Sequence, residues 1–351
     1  MNADNFDDYW VQSPKTAGAP DEPDLQINTI DGVDPLDAQL GVVDLKTVPD
    51  ALYESLFGRP CDTALHTFAI LDAAKVPNLP ELLEVSGLTH HCLFKGNAYD
   101  ELKDVAPWIV QLEDENVFTR NLFTQSDAPW HFWDKEPGIY LRSDASLADL
   151  CAHFRRFTKV QQTDGRWRYF RFWEPLVLQA YITEHSNRSE QRCPLFHGYD
   201  EITVASYVCC PIPGHVTVHA LPQDKISSEG PTSPKFVSAD ERAIAVAMQR
   251  RRQLEVGLAL RKSFADEASG LTENDLTDLV GRVVQKMDRY QVRAVRHVHT
   301  FAAWQLVYGE EFECRDPDRY IQQVLESSLN EEHKMVRMKG RLDDLHQAGL
   351  L

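Results

Sequence analysis

No stretch of this 351-residue chain approaches the ~18 consecutive apolar residues that a membrane-spanning helix needs. Its first residues, MNADNFDDYW, carry acids where a secretory leader carries a basic region followed by an apolar run. Basic charge is scarce: 36 Lys and Arg stand against 54 Asp and Glu, a formal net charge of −18. Binding nucleic acid by neutralising phosphates needs the opposite balance, so no nucleic-acid partner is expected. The seven cysteines (Cys61, Cys92, Cys151, Cys193, Cys209, Cys210 and Cys314) are odd in number and form no C-x-x-C pair. That usage fits a reducing compartment, and a cytoplasmic protein without direct membrane insertion is the expectation. The glycine-rich phosphate loops and the G-x-S-x-G nucleophile elbow are also missing.

The charge that is present is unevenly placed. Residues 1–50 hold eleven acids against two bases, half of the net excess in one seventh of the chain. Apolar residues there are too sparse to offset the entropy of ordering, so residues 1–58 read as an acidic, largely flexible arm. Leu25–Ile30 and Leu40–Leu45 are the two stretches able to dock on the body as extended segments. The arm is expected to be mobile, or folded back over a basic patch such as Arg250–Arg252.

Residues 59–222 read as an α/β domain. Leu65–Leu71 is a buried-strand pattern, Leu79–Val85 a helical turn, and Cys92–Phe94 a second strand turning at Gly96. Val105–Leu112 and Ile139–Leu141 are two further strands. Ser146 caps a helix whose Leu147, Leu150, Cys151 and Phe154 share one stripe. Trp167–Trp173 (WRYFRFW) reads as a strand with aromatics on both faces, so it should be central in its sheet or covered by a partner. Residues 223–235 are a proline- and glycine-rich linker, with a short strand before it at Val216–Ala220. Residues 236–351 read as helical. Ser238 with Glu241, and Thr272 with Asp275, have capping-box spacing. Leu276, Leu279, Val280, Val283 and Met287 form an apolar stripe, and a helix through Val295 to Leu306 ends at Gly309. Two more helices fall in Asp316–Ser328 and Glu331–His346. The fold class is therefore an α+β or α/β N-terminal lobe with a mixed sheet, followed by an all-α C-terminal lobe.

Chemistry-bearing clusters are few. His215 and His219 would share a strand face beside Cys209 and Cys210, which leaves a cysteine or zinc-dependent hydrolase as the alternative reading, although the spacing matches no closed zinc site. Surface or packed histidines explain the same residues. Arg250, Arg251 and Arg252 form a basic run on a helix: either a solvated, salt-bridged face or a docking patch for an acidic partner segment.

Four blocks in order carry a resemblance. They are Ala69–Ala74 (AILDAA), Cys92–Gly96 (CLFKG), Val105–Val110 (VAPWIV) and Phe170–Pro175 (FRFWEP). Together, over about residues 64–185, they resemble the type VI secretion system effector chaperones or adaptors of the Tap/TEC type. Glu174 and Trp173 depart from that family's usual Asp and Tyr or Phe. The resemblance implies a non-catalytic adaptor without cofactor or metal. Such a protein binds a cognate toxic effector in the cytoplasm and helps load it onto the type VI spike protein. It points to Asp72, Phe94, Gly96, Pro107, Trp108, Arg171, Phe172, Trp173, Glu174 and Pro175 as family-motif or partner-binding residues. Asp72, Arg171 and Glu174 would be structural charges paired at strand ends rather than an acid–base pair, since a buried charge without a partner is costly.

Overall fold

The computed structural model describes residues 25–58, 65–162, 164–186, 193–198, 202–212, 215–222 and 236–350. The chain divides into two compact units, Met1–Asp240 and Glu241–Leu351.

The first unit is built on a seven-stranded sheet. Its strands are β1 (Gln26–Asp31), β2 (His66–Asp72), β3 (His90–Cys92), β4 (Pro107–Leu112), β5 (Gly138–Ser143), β8 (Val204–Ile212) and β9 (His215–Ala220). They lie in the order β1-β9-β8-β5-β2-β4-β3. Every pair in it is antiparallel. The lobe is thus α+β, and the expected mixture of strand directions gives way to an antiparallel sheet. Helices α2 and α4 carry the chain past one strand each, from β2 to β3 across β4 and from β4 to β5 across β2, and the strand between runs opposite to both, so every hydrogen-bonded pair is antiparallel.

Successive residues of a strand face opposite sides, and here both sides are buried. Ala69, Leu71, Trp108, Val110, Tyr140, Val208 and Val218 pack on one side with helices α1 (Asp50–Phe57), α2 (Leu79–Ser86) and α4 (Val117–Leu122). The other side carries Phe68, Ile70, Ile109, Ile139, Leu141 and Tyr207, all buried. Helix α6 (Pro175–Ser186) lies against β8, its Gln179 amide donating to the Thr217 hydroxyl at 3.2 Å. Helix α5 (Leu147–Arg155) lies against β3 and β4, capped by Ser146 as its sequence implies. The short α3 (Asn97–Leu102) precedes β4.

Three expectations change. From Leu25 onward the acidic segment is not a flexible arm: the Leu25–Ile30 stretch docks as expected, as β1 paired with β9, and Val33, Leu36, Val48, Leu52 and Leu56 join the core. Scattered large apolar residues were enough, because the sheet supplies the partner surface each needs. Residues 1–24 and the linker 223–235 lie outside the described residues. The aromatic segment is not one central strand. Only Trp167–Tyr169 is extended, as β7, paired with β6 (Lys159–Gln161) in a separate two-stranded ribbon. Phe170, Phe172 and Trp173 then turn into the core. β8 was hidden in the cysteine–proline stretch.

The second unit is all helical among its described residues: α7 (Ser238–Ser263, which contains the boundary), α8 (Glu273–Arg289), α9 (Val295–Tyr308), α10 (Tyr320–Glu326) and α11 (Glu331–Gln347). Thr272 and Asp275 form the capping box that starts α8, whose Leu276, Leu279, Val280, Val283 and Met287 are buried. At α7 the cap differs, because Asp240, not Glu241, accepts the Val237 N–H at 2.8 Å. Buried Lys334 donates to the Tyr290 and Leu325 carbonyls at 2.9 and 2.8 Å, which offsets the cost of taking its charge out of water.

Gly138 opens β5 where a Cβ would overlap the Ile70 carbonyl of β2. Gly138→Ala should therefore push the two central strands apart and destabilise the first unit by about 1–3 kcal/mol, read as a lower denaturant midpoint. An unchanged midpoint would show that the strands tolerate the separation.

Candidate partner-binding site

β2 ends at Asp72, where the chain leaves the sheet between the start of β4 and the start of β5. The Asp72 N–H donates to the Pro137 carbonyl at 2.8 Å, and the Ala73 N–H to the Ala106 carbonyl at 3.0 Å. The Asp72 carboxylate is withdrawn from water, with 2% of the side chain exposed. It accepts the Ala74 N–H at 2.9 Å and one arm of the Arg171 guanidinium at 2.6 Å. Arg171 turns its Nε to Glu174, also at 2.6 Å. One arginine thus joins Asp72, 99 positions earlier in the chain, to Glu174, the residue that precedes α6. The three charges pair as the resemblance implied, with the arginine between two carboxylates.

Around this junction the other motif residues meet. Arg155, at the end of α5, donates to the Cys92 carbonyl at 2.9 Å and to that of Leu93 at 3.2 Å. That holds the turn carrying Phe94 and Gly96. Gly96 has φ 59° and ψ −142°, a backbone region open to glycine and strained for other residues. Phe94 faces Tyr169 of the ribbon with ring centroids 5.9 Å apart, and the Lys159 ammonium lies 4.9 Å from the Tyr169 ring. Pro107 opens β4, and Trp108 is buried with its indole N–H on the Lys103 carbonyl at 3.0 Å. Phe172 stacks on Phe154 at 5.5 Å and meets Trp173 edge-on at 5.4 Å, while Pro175 begins α6. The buried Trp173 indole N–H has no partner among the described residues, a donor that Phe would not place there.

These residues divide by location. Trp108, Phe172 and Trp173 are core, Asp72 and Glu174 are held by Arg171, and Phe94 is half-buried. Trp130, Tyr53 and Tyr99 are exposed elsewhere on the unit; of the aromatics beside the junction, Trp167 and Tyr169 on the ribbon are exposed. Sequence reasoning had placed both in a sheet strand; the turn at Gly165 was the signal for a hairpin.

The remaining candidates do not converge. His215 is exposed and its Nδ1 lies 2.7 Å from the Asp31 carboxylate. His219 is buried between Ile27 and Tyr207 in the sheet, and neither of its ring nitrogens has a partner among the described residues. Four residues of extended chain separate the two rings by roughly 13 Å, too far to share an ion. Among the described residues no three His, Cys, Asp or Glu side chains converge on a metal position. Burial raises the thiols as well: Cys92 to about 11, Cys193 and Cys210 to about 12, and Cys151 and Cys209 upward. A nucleophilic cysteine needs the opposite shift. Cys61 lies outside the described residues. In the second unit Arg250 pairs with Asp278 at 2.6 Å and Arg251 with Glu255 at 3.0 Å, so two of the three arginines are already engaged as a salt-bridged helix face.

Two outcomes follow from this geometry. Arg171→Ala strands the Asp72 carboxylate and should destabilise the protein by roughly 2 kcal/mol. The double variant Arg171→Ala with Asp72→Asn should lose less than the sum of the singles in a denaturation cycle; strict additivity would show that the pair is not coupled. His219 is held neutral by burial, its pKa lowered to about 4, whereas in the unfolded chain it protonates near 6.5. Its contribution is therefore complete above pH 6.5 and is lost as pH falls towards 4, at up to about 1.4 kcal/mol per pH unit. His219→Leu should flatten part of that slope in denaturation series from pH 7 to 4.5, and an unchanged slope would contradict it.

Residues 67–193 match a family model described as a domain of unknown function (DUF4123). Comparison with curated proteins and with solved structures gave no match. The matched segment runs from β2 through α6 and contains the Asp72–Arg171–Glu174 junction and the aromatic ribbon.

Proposed function

We propose that this protein is a non-catalytic adaptor chaperone that binds a cognate toxic effector in the cytoplasm and helps load it onto the type VI secretion spike protein. The observation that carries the reading is the junction itself. The four sequence blocks that resemble the effector adaptors fold into one locked unit, closed by Asp72, Arg171 and Glu174. The family match falls on the same segment. Charges spent on one another hold a shape and leave no free acid–base pair there. The exposed Trp167 and Tyr169 suit an interface, where aromatic side chains contribute large contact area at low entropy cost. No helix among the described residues is long and apolar enough to cross a membrane, which agrees with a partner-bound role away from the bilayer. The shared docking function is assigned to this unit, and the helical unit contributes to the choice of effector.

The hydrolase reading through His215, His219 and a cysteine has the geometry above against it. Stoichiometric zinc on the purified protein, lost in His215→Ala, would restore it.

Co-expression with the proteins encoded beside this gene tests the adaptor reading. An effector or spike protein should stay bound through size-exclusion chromatography, and Trp167→Ala with Tyr169→Ala should weaken that complex at least about tenfold without moving the melting temperature. If no neighbour is retained by a monodisperse, stable chain, the adaptor reading fails.

A further inference from the structure

The stretch Leu40–Leu45 does not dock on the body. It stands out as a loop whose apolar side chains face water: Leu40 is 91% and Val43 94% exposed, and Val42 and Leu45 are also exposed. Such residues on a loose tail would mean little. Here the loop is closed. The Gln39 side chain donates to the Lys46 carbonyl at 2.9 Å and accepts the Lys46 N–H at 2.7 Å, so one amide clasps both ends. Arg120 of α4 adds a bond to the same carbonyl at 3.1 Å. On the entry side, Leu36 exchanges backbone bonds with Phe123 and Gln125, both at 2.9 Å. On the exit side, Thr47 accepts the Glu115 N–H at 2.8 Å.

A closed apolar loop exposed to water is unfavourable to keep unless something covers it, and its ordering cost is met before any partner arrives. The surrounding charge says what kind of partner. Between residues 31 and 50 the chain carries Asp31, Asp34, Asp37, Asp44 and Asp50 against Lys46, which is paired with Asp50, and the one cation brought to the loop's base from α4 is half-buried Arg120, bonded to the Lys46 carbonyl. An anionic lipid surface would be repelled. A protein pocket with an apolar floor and a rim of Lys and Arg would be complementary on both counts.

We propose that the Leu40–Leu45 loop is a preorganised anchor that inserts into an apolar, basic-rimmed pocket on the partner protein. It lies outside the segment matched by the family model, so we assign it to recognition of the cognate effector rather than to the shared docking function. The proposal rests on the adaptor reading and names the chemistry of its partner.

The test uses the full chain and the neighbour-encoded protein retained on co-expression. Val43 is almost wholly exposed, so Val43→Asp should leave the melting temperature unchanged while raising the dissociation constant at least tenfold. Asp44→Lys should weaken binding at least threefold, and wild-type affinity should fall as salt rises. Dissociation constants for Val43→Asp and Leu40→Asp within twofold of wild type would overturn the loop assignment while leaving the adaptor reading intact, because the complex still forms. If no neighbour binds the wild type, the adaptor reading fails, and a benzophenone amino acid at position 43 in producing cells then decides the loop. A single protein adduct, whose purified form binds wild type but not Val43→Asp, upholds the anchor. Lipid adducts, adducts to a second copy of this chain, or labelling no stronger than at exposed Val336 overturn it.

Discussion

A carboxylate that ends a central strand out of water is stable only with partners, and Asp72 has two. A backbone amide two residues on fixes its rotamer, and Arg171 brings the counter-charge from the far end of the family-matched segment. Much of the first unit is placed by that pairing. The strand order sets Asp72 between the starts of β4 and β5, and the arginine can reach it only if the chain after the ribbon returns to the same sheet end. That return drives Phe172 and Trp173 into the core and sets Glu174 where α6 begins. Because Arg171 is itself 47% exposed, the interaction couples a buried strand end to the surface beside the ribbon.

The same arrangement separates scaffold from surface. Trp108, Phe172 and Trp173 serve packing, while Trp167 and Tyr169 stand on a two-stranded ribbon that exposes them. A short ribbon carries little stability of its own, so the contacts of Tyr169 with Phe94, and of the Tyr169 ring with Lys159 on the paired strand, matter for holding the aromatic face in place. The acidic segment, read from the sequence as a flexible arm, contributes an edge strand and a closed loop from Leu25 onward. Its charge then colours the edge of the molecule that the loop presents.

Local patterns were legible where they depended on neighbours in sequence. The cap at Ser146, the capping box at Thr272 and Asp275, the α8 stripe and the β2 and β4 strands follow from spacing alone. The pairing of Asp72 with Arg171 was legible only through the resemblance, since 99 residues separate them. What escaped depends on tertiary context. β8 is interrupted in sequence by Cys209, Cys210 and Pro211, yet burial on both faces of the sheet stabilises it. WRYFRFW alternates like a strand throughout, but only its first three residues lie in the ribbon ladder, and Phe170, Phe172 and Trp173 pack into the core with α5 and α6. His215 and His219 share a strand face, and the extended backbone that puts them there also keeps them apart.

Hydrogen–deuterium exchange on the full chain, alone and bound to the effector protein encoded beside it, tests the central claim most directly. The adaptor account expects new protection at residues 40–45 and 166–169, with exchange at His215–His219 unchanged. Protection confined to the His215–His219 and Cys209–Cys210 strands, or no protection at either exposed site, would contradict it.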